Sequence, residues 1–269
     1  MLYRLQSYLQ MLRTDPLGFV VYLAYYVVVL LLSLILHECG HAYVAYRCGD
    51  PTAKMLGRLT LDPRKHLDPV GTVMMLLFGF GYAKPVPINP RNFRNYRRDD
   101  FLVSIAGITV NFSLFLVCLA LAVGVNRFMW TERVYQSYTD LHAMDELLSP
   151  YAGSIPYWIA YAGNASTFAD YMANPWLVYV QRFLLLMCTM NLSLAVFNFL
   201  PVPPLDGFHI FNDIVLKGRL QLTPQIYRVT MLVLMGLLYT GVLYNLLYTV
   251  NEAVYGGVLK LFLLITGAA

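Results

Sequence analysis

The chain has 269 residues, 58% of them hydrophobic and 13% charged, with a mean hydropathy of +0.56 and a net charge of +4. A soluble domain carries about twice that share of charged residues, so the composition excludes a water-soluble globule and indicates a membrane protein. The basic residues sit on a few loops rather than along a stripe, which argues against a nucleic-acid surface, and four cysteines (Cys39, Cys48, Cys118, Cys188) without CxxC spacing indicate neither a disulfide framework nor a zinc ribbon.

A spanning helix needs about 20 mostly apolar residues. The first fifteen residues carry Arg4 and Arg13 and lead into an apolar run with no small-residue cleavage site, so residues 17–45 are expected to remain as a first span. That run closes on "LILHECGHAYVAYRCGD". On a helix His37 and His41 lie about 40° apart on one face, with Glu38 on the adjoining face. Lone histidines at a helix end commonly bond to carbonyls at an interface. Three ionisable groups at the bilayer edge are costly and mark function, so the pair is expected to take one metal ion with Glu38 beside it. Cys39 points away from that face, and a catalytic zinc needs a third protein ligand from elsewhere.

Residues 47–98 carry ten Lys or Arg, whereas 130–174 carry Arg133 against five acidic residues. The positive-inside rule places the first loop in the cytoplasm and the second outside, with Lys217 and Arg219 inside again; Arg4 and Arg13 run against it. Within the first loop "AKMLGRLTLD" alternates polar and apolar, and "GFGYAKPVPINP" is extended, with Pro85 and Pro87 confining it to an edge. Between them "DPVGTVMMLLFGFG", punctuated by Gly71, Gly79 and Gly81, is too short to cross and suits a re-entrant hairpin. His66, in "DPRKHLDP", is expected to be solvated or near the ligands.

Spans follow at 101–125 and 176–200, and Trp130 and Trp176 flank the intervening loop (about 128–175) as interfacial anchors would. That loop is thin for an independent core. Asn111 and Asn191 open a four-residue echo too short to be a repeat. The third span ends "NLSLAVFNFLPVPPLDGFHI", where Pro201, Pro203 and Pro204 stop the helix and Asp206-Gly207 follows in apolar surroundings. Asp206 is the candidate third ligand, or else the N-cap of a helix starting at Gly207. His209, one turn on, is its competitor. A fourth span is expected at 227–250, while 254–265 is too short to count. The expected architecture is a mainly α, polytopic membrane protein forming one domain over 1–269: a three-helix catalytic core (about 17–216), C-terminal helices (about 225–267) and a small membrane-embedded β-sheet or re-entrant hairpin.

The series "HECGH", "LGRLTLDPRKHLDPVGT", "AKPVPINPRNFR" and "FNFLPVPPLDG", over residues 30–215, resembles the site-2 protease family of intramembrane zinc metalloproteases, specifically its small prokaryotic members without a PDZ domain. The resemblance implies one Zn²⁺ held by His37, His41 and Asp206, with Glu38 as the catalytic glutamate and Asn198 holding the substrate or its developing oxyanion. His66, His209 and Asn191 are candidates for supporting the ligands. It also implies a transmembrane protein as substrate, cut within its span in the lipid bilayer of a prokaryotic cytoplasmic membrane; the basic first loop puts the expected active site toward the cytoplasm. A helical substrate must unwind before a carbonyl can react, and Tyr82, Ala83, Lys84, Pro85, Val86, Pro87 and Ile88 are expected to offer it an edge strand. Relatives often read Ala-Gly-Pro in the middle core helix, where this chain has Ile108 in "SIAGITVNF". The second reading is a membrane metal or solute transporter lined by His, Asp and Asn, against which the lack of inverted repeats counts. A third is an inactive membrane scaffold. Nothing in the sequence sets an oligomeric state.

Overall fold

The computed structural model describes residues 2–78, 82–137, 148, 169–220 and 222–266. Among these the chain is mainly helical: α1 (Leu2–Thr14), α2 (Pro16–Cys48), α3 (Thr52–Met55), α4 (Pro63–His66), α5 (Pro69–Phe78), α6 (Tyr96–Met129), α7 (Glu132–Ser137), α8 (Leu177–Asn198), α9 (Asp206–Ile214), α10 (Pro224–Thr240) and α11 (Val242–Thr266). Among the described residues, four stretches are long and apolar enough to cross a membrane: α2, α6, α8 and the Asn245–Ile265 part of α11.

Local chemistry sets the ends. Asp68 caps α5, its Oδ1 accepting from Gly71 N–H at 2.8 Å. The start of α6 is fixed reciprocally: Asn95 N–H donates to Asp99 Oδ2 (2.9 Å) and Arg98 N–H to Asn95 Oδ1 (3.4 Å). Thr223 caps α10 ahead of Pro224, and Gly241, at φ 82°, closes it.

That glycine corrects the expected fourth span. Residues 227–250 are not one helix: the left-handed Gly241 ends α10 after 17 residues, and the segment thought too short joins the 25-residue α11. The small sheet is not confirmed: no strand occurs among the described residues, where the isolated bridge Trp130–Met172 is the β pairing found. The expected hairpin begins as the helix α5, and its Gly79 and Gly81 lie outside the described residues, as does most of the outer loop (138–147 and 149–168).

Two compact units divide the chain. The first comprises Met1–Arg4, Leu30–Phe112 and Ser193–Tyr248 and holds every candidate metal ligand. In lipid, helices associate by close packing rather than by hydrophobic expulsion, which favours small residues at contacts. Accordingly Gly40 of α2 faces α6, where a Cβ would come 2.9 Å from Val110 Cγ2. Ile108 leaves α6 unbroken and packs in a buried cluster with Ala195 and with Ile210 of α9, so the helix that carries Asp206 seats against α6 and the end of α8. Leu205, Leu234 and Leu243 form another buried cluster.

The second unit comprises Leu5–Val29, Ser113–Leu192 and Thr249–Ala269. Phe115, Leu119, Leu185, Tyr255 and Leu259 are fully buried in it. Arg182 is buried with its guanidinium 4.9 Å from the Tyr25 ring centroid. Trp130 is buried, its indole N–H donating to Asn126 Oδ1 at 2.9 Å, while Trp176 is exposed.

Candidate metal centre and the residues around it

His37 and His41, one turn apart on α2, are buried and turn their Nε2 atoms toward each other at 3.0 Å. Asp206, the first residue of α9, brings its Oδ2 to 3.4 Å from His37 Nε2 and 3.3 Å from His41 Nε2. Three donors at about 2.0–2.1 Å from a tetrahedral zinc stand about 3.3 Å apart, so this triangle has the size the metal requires. The carboxylate does not serve as an N-cap. Leu205 holds that position with no side-chain bond, and Asp206 Oδ2 is buried without a hydrogen bond. A buried anionic oxygen left facing two imidazole nitrogens fits a cation between them.

The far sides of the two rings fix their orientation. Val103 C=O can only accept, so His41 Nδ1, 2.7 Å away, carries the proton and leaves Nε2 with a lone pair. The fully buried Asn111 places its amide 3.1 Å from His37 Nδ1. An amide can present either end; with Oδ1 turned to an Nδ1–H, His37 Nε2 is bare as well. Both partners come from α6. Gly107, between them, is required for a different reason: a Cβ there would run into His41 Nε2 and the His37 ring.

The 100° step between neighbouring residues gives α2 two working faces. One carries His37 and His41 against α6. The other carries Glu38, whose Oε2 accepts from Val86 N–H at 3.0 Å, and Ala42, which packs with Ala53 and Val86. Residues 82–88 have no regular secondary structure and run past this face. Lys84 N–H donates to His66 C=O (2.8 Å), and Arg58 Nη2 donates to the carbonyls of Lys84 (2.7 Å) and Pro85 (3.2 Å). A Cβ on Gly71 would collide with the Tyr82 carbonyl, so the start of the stretch lies on the first turn of α5.

The remaining candidates fall elsewhere. His66 is not solvated: it is fully buried, its Nε2 2.8 Å from Thr60 C=O, because that carbonyl and the Lys84 bond tie the loop together. Cys39 Sγ donates to the same Thr60 carbonyl at 3.0 Å. His209 lies 3.5 Å from Asp100 Oδ2, which raises its pKa, and it is not among the three residues that converge. Asn191 belongs to the second unit and donates to Met187 C=O in its own helix. Asn198 ends α8 half-buried, its side chain making no hydrogen bond among the described residues. Sequence reasoning missed Asn111, Gly107 and Arg58, and it placed Val86 on the substrate edge without its bond to Glu38. Asn111 and Gly107 had a signal: a small residue and an amide one turn apart on a span, matching the His37–His41 spacing.

The supporting amide is testable. Asn111→Ala is expected to weaken zinc binding about 10–100-fold, read by competition with a chelator. Unchanged affinity would remove Asn111 from the centre. Farther along α9, burial, and next the neighbouring Asp100, raise the Asp213 pKa from 3.8 to about 6. The folded state then holds a proton there that the unfolded chain has released between about pH 4 and 6. Its stabilising effect is complete below pH 4 and lost as pH rises through 6. Asp213→Asn is therefore expected to raise the melting temperature at pH 7.5 and to make little difference at pH 4; an equal effect at both would contradict this.

A polytopic helical protein with a His-His-Asp triangle and a glutamate on the next helix face belongs to the class of membrane metallohydrolases. Comparison with known proteins makes this specific. The family model for peptidase family M50 matches residues 25–240. The chain is 35% identical over 243 residues to "Putative zinc metalloprotease YwhC" of Bacillus subtilis, covering 88% of this chain and 90% of that one. Proteins of the same description named Rip2 match at 35% over 133 residues in Mycobacterium tuberculosis (46% of this chain, 51% of that one) and at 33% over 105 residues in Mycolicibacterium smegmatis (37% and 39%). No solved structure matches. The chain belongs to peptidase family M50, the site-2 protease family. It is a zinc metalloprotease and an integral membrane protein of the lipid bilayer.

Proposed function

We propose that this protein is an intramembrane endopeptidase that hydrolyses a peptide bond within the transmembrane segment of another membrane protein. The observation that carries the reading is the buried triangle of His37 Nε2, His41 Nε2 and Asp206 Oδ2, with Glu38 on the neighbouring face of α2. Its three residues are the metal ligands. Zinc, when bound, supplies a Lewis acid that activates water and polarises a carbonyl near neutral pH. Glu38 takes the proton of the attacking water at Oε1, the oxygen left free by Val86, and returns it to the departing amide nitrogen. Asn198 Nδ2 donates to the substrate carbonyl oxygen as charge gathers on it.

Cleavage requires the substrate helix to unwind, and residues 82–88 are the edge on which it docks. Ala83 and the carbonyls of Val86 and Pro87 have no partner among the described residues, so they support strand-like pairing. The membrane is a prokaryotic cytoplasmic one; the basic 47–98 loop supports a centre that faces the cytoplasm and a cut in the inner half of the substrate's span. The test is cleavage of a single-span substrate by the purified protein, with mass spectrometry of the products. A cut inside the span, abolished by a chelator and restored by zinc, is expected. Cleavage confined to extramembrane residues would overturn the proposal.

A further inference from the structure

Building on the proteolytic reading, we propose that the backbone N–H of Val86 is the positioning group for Glu38, so that the substrate-docking stretch and the general base form one mechanical part. The sequence isolates this donor. Pro85 and Pro87 have no N–H, so between Lys84 and Ile88 Val86 carries the single amide hydrogen, and it is spent on the Glu38 carboxylate. The same prolines hold Lys84 and Val86 extended, because a residue before proline is kept out of the helical region.

Three further contacts set where that N–H stands. The Val86 side chain seats against Ala42, one turn beyond Glu38 on the same helix face, and against Ala53. Lys84 N–H is tied to the His66 carbonyl, and the buried Arg58 grips the carbonyls of Lys84 and Pro85. Arg58 comes from the loop after α3 and His66 from α4, so loop, docking stretch and α2 are braced against one another. A glutamate has three side-chain torsions; a fixed donor on one oxygen selects the arrangement that aims the other at the reacting water. Any displacement of residues 84–86 moves the base with it.

Val86→Pro removes the hydrogen while keeping an apolar side chain of similar size; Val86→Ala keeps the hydrogen and trims the side chain. In the zinc-loaded protein Val86→Pro is expected to lower kcat about 10²-fold, with zinc content retained and KM changed less than about threefold, and Val86→Ala to keep at least about ten times the kcat of Val86→Pro. Equal kcat for the two variants would overturn the proposal. A second measurement covers a proline variant that fails to fold: in zinc-free protein labelled with ¹⁵N-valine, the Val86 amide proton, identified by its loss in Val86→Ala, should shift upfield in Glu38→Ala. No shift would overturn the proposal independently of activity. If the wild type cleaves nothing while the shift is observed, it is the proteolytic reading that fails.

Discussion

Glu38→Gln is expected to keep one zinc per chain and to cleave about 10²–10⁴-fold more slowly than the wild type, the range that general-base catalysis supplies. The substitution is informative because it is nearly isosteric. The amide oxygen of glutamine can still accept from Val86 N–H, the packing of Ala42 and Val86 is undisturbed, and the three converging donors are untouched. What disappears is the capacity to take a proton. A purely structural Glu38 would be well mimicked by glutamine and would leave the rate nearly unchanged. Zinc content measured alongside the rate separates loss of base from loss of metal, and equal rates at equal zinc would remove Glu38 from the mechanism.

Gly107→Ala should be as damaging although it changes no polar group. The added methyl would overlap His41 Nε2 and the His37 ring, so either the rings rotate away from Asp206 or α6 withdraws from α2. Withdrawal would also lengthen the Val103 and Asn111 contacts that orient the rings. Overpacking of this kind costs about 1–3 kcal/mol in stability, and ligand misplacement of about 1 Å lowers the rate by about 10²-fold. Gly124→Ala on the same helix is the control, because nothing lies within 4 Å of its added carbon. The expected result is loss of zinc and cleavage in the first variant and wild-type behaviour in the second. Full zinc occupancy in Gly107→Ala would show that the two helices pack less closely than described.

The parts of this site legible in the sequence are those where ionisable side chains stand against an apolar background. His37, Glu38, His41 and Asp206 are conspicuous because placing them there is costly and only a shared ligand relieves it. Asn111 is not conspicuous in that way, since amides in spans also join helices, and only its distance to His37 Nδ1 distinguishes the two uses. The Val86 donor and the Val103 acceptor are backbone groups, which residue identity does not encode. Gly241 sits in an apolar run that reads as continuous, because a single glycine within a span is tolerated; its left-handed φ reveals the break. The alternating pattern around Arg58 suggested a sheet, yet its groups bond through side chains and loop carbonyls, so the extended stretch is held without a ladder.

The most direct measurement is zinc X-ray absorption on the purified protein and on Asp206→Ala. The wild type is expected to hold one zinc at about 2.0–2.1 Å from two imidazole nitrogens and a carboxylate oxygen, with a further light donor. Asp206→Ala should bind far more weakly and lose that oxygen from the spectrum. An unchanged spectrum and affinity in Asp206→Ala would contradict the triangle on which the whole account rests.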